Sequence, residues 1–99
     1  MDQVLEIVLK MNECRDTARR LFSSEDYTRL VKNYRQALFI VISKEKCGVI
    51  QAAIILLKNG KECLSNSTDY ALVTMWTMAA ALDISEEQDK SPKMADFHE

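Results

Sequence analysis

Ninety-nine residues suffice for one domain with a single modest core. Only two glycines and one proline occur, too few for the turns of an all-β protein, so the chain reads as all-α. A net charge of −2 argues against nucleic-acid binding by bulk electrostatics. Three cysteines, odd in number and without metal-ligand spacing, fit reduced thiols in a cytoplasmic protein.

Asp2 is a suitable N-cap for a first helix over 2–22. Val4, Ile7, Val8, Met11, Cys14, Ala18 and Leu21 recur on one helical face. Glu6 and Lys10 interrupt the N-terminal apolar stretch, which therefore reads as an amphipathic helix and not as a signal segment. Ser23-Ser24-Glu25-Asp26 marks a break and a new start. A serine oxygen caps the helix, and the two acids suit the positive end of its dipole. The second helix is predicted over 25–42, with Tyr27, Val31, Tyr34, Leu38 and Val41 at the seam spacing of packed helices.

Ser43 is the predicted cap of a third helix over 44–59, stopped at Gly60. Two rival boundaries remain open: a joint at Cys47-Gly48, and a helix that runs through Gly60 to Leu64. Ser65 to Asp69 is the clearest loop. The last helix is predicted over 69–82, with Leu72, Met75, Trp76, Ala79 and Leu82 on its core face. From Ser85 the composition turns polar and acidic, too poor in apolar residues to offset the entropy of ordering. The expected organisation is a bundle of about four antiparallel helices over 1–84 and a flexible, disordered acidic tail over 85–99. The longest apolar run, Ala52–Leu57, is far below the ~20 residues that span a bilayer, so no membrane association is expected.

Two segments, Ala37–Ile42 and Val49–Leu57, are apolar around the whole circumference of their helices. A helix of that kind needs cover on every side. Either the third helix is wrapped by the other three, or Phe39, Ile40, Ile42, Val49, Ala52, Ile55 and Leu56 form an interface with a second chain; the interface is the favoured reading. Trp76 and Leu57 are read as core, and Cys14 as a small buried hydrophobe.

Charge is uneven. Residues 1–50 carry nine Lys/Arg against seven Asp/Glu, a net of +2; residues 51–99 carry four against eight, a net of −4. Arg15 and Arg19 lie one turn apart, as do Arg29, Lys32 and Arg35, and these five are the candidate anion-binding residues. Glu13, Asp16, Glu25 and Asp26 lie among them, so a solvated, self-paired face is the default. The only histidine, His98, lies in the predicted tail and serves no rigid catalytic triad. No catalytic residue, metal site or cofactor is expected. The resulting expectation is a non-enzymatic interaction module, a regulator, inhibitor, adaptor or chaperone type, that forms a homodimer or docks on a protein partner through the second and third helices. The rival is a phosphate or nucleic-acid binder that uses the basic face of the first two.

Overall fold

The structure, a computed structural model, describes residues 2–89 in backbone and 5–88 in side chain. It is a bundle of four helices: α1 (Asp2–Leu21), α2 (Ser24–Glu45), α3 (Val49–Cys63) and α4 (Ser67–Asp89). No strand occurs among the described residues. The side chain of Asp2, the predicted cap, and the part of the predicted tail beyond Asp89 lie outside what the structure describes.

Two helix starts have a side-chain cap. Ser23 caps α2, and its Oγ accepts the backbone N–H of Asp26 at 3.1 Å. Asn66 serves α4, its Oδ1 accepting the N–H groups of Thr68 at 2.7 Å and Asp69 at 3.1 Å. The second joint corrects the predicted one at Ser43. α2 continues to Glu45, and Lys46 closes it in a left-handed conformation (φ 55°, ψ 52°), its N–H reaching the Ile42 carbonyl. Gly48 then precedes α3 in extended backbone. Of the open boundaries, the joint at Cys47-Gly48 and the run through Gly60 are the ones observed. Gly60 sits 3.7 Å, from its would-be Cβ, to Tyr70 and Val73, so it marks the close passage of α3 against α4 and ends nothing.

α4 is the centre of the bundle and packs against all three other helices. Every residue from Met75 to Leu82 is buried, and Ile84 is fully buried as well. That burial corrects the expectation of one core face on the last helix. The physical reason is residue size: Ala79, Ala80 and Ala81 let three neighbours approach its backbone at once. It also moves the helix end from the predicted Leu82 to Asp89, because Ile84 anchors another turn.

Contacts along α4 give the directions. Tyr27 packs on Trp76 (ring centroids 5.7 Å apart), and eight residues later Arg35 reaches Asp83 and Glu87, so α2 and α4 run the same way. α3 returns between them through the short connections 46–48 and 64–66. Phe22, just past α1, meets the Trp76 ring edge-on at 5.1 Å. α1 packs extensively on α4 and barely touches α2. Lys10, Glu13, Cys14 and Thr17 face residues 68–75 in the first half of α4, whereas Arg15 reaches Glu86 in the second half. One short stretch of α1 thus meets both halves of α4.

The predicted seams place the core as expected at Met11, Ala18, Val31, Leu38 and Trp76. Cys14 and Leu57 are half-buried and pack on that core. Leu21 and Leu72 depart from their predicted faces and are exposed. α1 ends at Leu21, and Phe22 takes the inner position beside Trp76; Leu72 lies in the open angle between α1 and α4.

Candidate interaction surfaces and the arginine pairs

The predicted interface residues separate into three groups. Ile40 is 67% exposed and Phe39 41%. Ile42, Val49, Ile55 and Leu56 are half-buried, and all but Ile55 pack against the core. Ala52 is fully buried inside the bundle and is corrected from interface to core. It faces inward with Ala53 on the side of α3 that meets its neighbours, where only a small side chain fits. The sequence reading missed Ile54, 43% exposed on α3. Ile40 and Ile54 each lie seven residues from Cys47, on opposite sides of the joint between α2 and α3. At 1.5 Å per residue they stand at similar heights on the two helices.

Phe39 is not a free aromatic. The Arg35 guanidinium lies 5.6 Å from its ring centroid, the distance of a cation–π contact. Arg35 also donates to Asp83 through Nη1 and to Glu87 through Nη2, the latter at 2.8 Å. Glu87, and after it Asp83, hold the guanidinium more firmly charged, with partial burial opposing.

The other candidate anion-binding residues are divided in the same manner. Arg15 donates to Glu86 at 2.7 Å, and its Nη2 lies 3.4 Å from Asn12 Oδ1. Its Nε is buried without a partner. Arg29 pairs with Asp26 at 3.1 Å on the exposed face of α2. Arg19 lies over the Tyr27 ring at 5.2 Å. Lys32 stands exposed on α2. The five side chains therefore do not converge on one point. Part of the uneven charge is matched within the chain: Arg15 on α1 and Arg35 on α2 meet acids near the C-terminal end of α4.

An open groove of ≈ 570 Å³ lies in the angle between α1 and the first half of α4, with Lys10 and Glu13 on one side and Tyr70, Leu72 and Met75 on the other. Cys14 lines it, and burial pushes its thiol up from the ordinary value, against a smaller lowering by Lys10 and a smaller raising by Glu13. A thiol held neutral in this way is a poor nucleophile. Among the described residues, no group of three or more His, Cys, Asp or Glu is placed to hold a metal ion. No helix there is long and apolar enough to cross a membrane. No protein-family model, curated protein or solved structure matches this chain.

Proposed function

We propose that the chain is a non-enzymatic interaction module that pairs with a second copy of itself through the outer faces of α2 and α3. The observation that carries this reading is the exposure of Phe39 and Ile40 on α2 and of Ile54 at matching height on the adjoining α3. Full burial of a large apolar side chain is worth ~1.5–3 kcal/mol, and these three forgo about half of that each. A two-fold axis over such a patch covers both copies at once, and two-fold pairing is the commonest symmetry of soluble oligomers. Half-buried Ile55 adds apolar surface on α3.

The rival reading as an anion binder draws little support from the geometry. Arg15, Arg29 and Arg35 already hold carboxylates, and Arg19 rests on an aromatic ring. Light scattering over a dilution series tests the pairing. The expected mass is that of two chains, falling to one in Ile40→Glu and in Ile54→Glu with the helical circular-dichroism signal intact. A mass of one chain at every concentration overturns it. So does a two-chain mass that survives both substitutions.

A further inference from the structure

We propose that self-pairing through α2 and α3 is held back by like charge and tightens as salt screens it, so that ionic strength sets the balance between one chain and two. This rests on the pairing proposed above and names what regulates it. The apolar patch is bracketed by lysines. Lys44 lies one turn beyond Ile40 on α2 and Lys58 one turn beyond Ile54 on α3, so each shares a helix face with its isoleucine. The two helices run in opposite directions, which puts these lysines at opposite ends of the patch. Lys44 is three residues from Cys47, the isoleucines seven and Lys58 eleven. Lys46, which closes α2, adds charge at the near end. Lys61 and Lys32, fourteen and fifteen residues from Cys47, add it at the far end.

All five lysines are exposed, and none lies in an ion pair among the described residues. Arg35 is already engaged by Asp83 and Glu87. From Lys32 to Glu62 the remaining charges are five lysines against Glu45 and Glu62, a net of +3 on a chain whose whole is −2. Self-pairing sets that charge against itself. A two-fold axis along the helices places each end of the patch on the same end of the second copy. An axis across them places each end on the opposite one. Both ends are basic, so lysines meet lysines in either arrangement. Like charges facing across an interface oppose association. Between exposed charges the opposition fades as the Debye length shortens from ~30 Å at 0.01 M to ~8 Å at 0.15 M. Sodium chloride does not weaken the apolar burial of Phe39, Ile40 and Ile54 in return. The salt response therefore has the opposite sign from that of an interface held by ion pairs.

Sedimentation equilibrium at neutral pH, repeated in sodium chloride from about 0.02 to about 0.3 M, reads the dissociation constant of the pair directly. The wild-type constant is expected to fall roughly three- to tenfold across that range. The double variant Lys44→Gln, Lys58→Gln is expected to pair at low salt about as tightly as wild type does at high salt, and to change less than about twofold with salt. Two outcomes overturn the charge restraint and leave self-pairing standing. One is a wild-type pair that is indifferent to salt or loosens with it. The other is a double variant that keeps the full salt response, which assigns that response to the apolar contacts. A mass of one chain at every concentration and every salt is a different failure, since it removes the pairing itself. Should the double variant lose its helical circular-dichroism signal, Lys32→Gln with Lys61→Gln at the far end takes its place under the same criteria.

Discussion

Val49–Leu57 of α3 and Met75–Leu82 of α4 are both apolar around the helix, yet they meet opposite fates. The α4 segment is buried at every residue. The α3 segment buries Ala52 and Ala53, keeps Val49, Leu56 and Leu57 half-buried, and leaves Ile54 in water. The difference lies in neighbours and in side-chain volume. α4 has three helices around it and three consecutive alanines that admit them; α3 lies at the edge of the bundle with large branched residues on its outer side. Apolar content alone therefore does not identify the central helix. Small residues among large ones do, because close approach from several directions needs places where a helix is thin.

The comparison breaks most severely at Trp76. Trp76→Ala removes the ring on which Phe22 and Tyr27 pack and is expected to cost ~3–5 kcal/mol in urea melts. Ile54→Ala on α3 is expected to stay within about 0.5 kcal/mol in the isolated chain. Equal losses at the two positions would show that α3 is as enclosed as α4.

Overpacking probes the same contrast from the other direction. Ala80→Leu inserts a side chain where exposure is already zero and is expected to destabilise by ~1–3 kcal/mol or more. A thermal melt unchanged by Ala80→Leu would place a void beside α4 and remove the argument from thinness.

Thr77 sharpens the picture. It is fully buried in α4, and its hydroxyl has no partner. A buried, unsatisfied polar group costs on the order of 1–3 kcal/mol. Thr77→Val keeps the shape, so denaturant titration should find the variant more stable, by about 1 kcal/mol. A loss of stability there would mean that the hydroxyl is bonded in solution.

Arg35→Gln separates the acidic end of α4 from the buried middle. It frees Asp83 and Glu87 together and removes the cation over Phe39. The expected loss is ~1 kcal/mol at low salt, shrinking as salt is added. A loss independent of salt would assign the effect to packing of the long side chain.

The smallest effect belongs to pH. The folded chain holds the Cys14 proton more tightly than the unfolded chain, because burial disfavours the thiolate. The associated stability is fully present below the thiol's ordinary value of 9.0 and is lost as pH rises through the higher folded value. Melts of wild type and Cys14→Ala should therefore converge at alkaline pH. Parallel curves would show that Cys14 contributes by packing alone.

The four helices were legible because the apolar spacing of α1 and α2, the serine cap in Ser23-Ser24 and the polar loop at Ser65–Asp69 are local signals, carried by a few adjacent residues. Burial at Met11, Val31, Leu38 and Trp76 follows from the same periodicity. Three things were not legible. The joint fell at Lys46–Gly48 and not at Ser43, since the left-handed turn uses a lysine, a residue that carries no turn signal. Ala52 was placed on the surface with its large neighbours, because composition alone does not show which side of α3 faces its partners. The residues from Ser85 to Asp89 read as tail, although α4 includes them. Their order rests on Ile84 and on two arginines 71 and 52 positions away in sequence, pairings that no local window contains.

The central place of α4 has a consequence for how the chain is made. Synthesis delivers the wrapped helix after the three that wrap it, so α1 leaves the ribosome without the surface it packs on, and α2 and α3 have only each other. A nascent chain stalled at residue 65 lacks Trp76, the three alanines and Ile84, and with them the surface that α1 packs against. Such a chain is expected to be open to protease along its whole length and to become resistant in one step once α4 has emerged. The bundle is thus closed from the inside by the helix that is delivered after the other three.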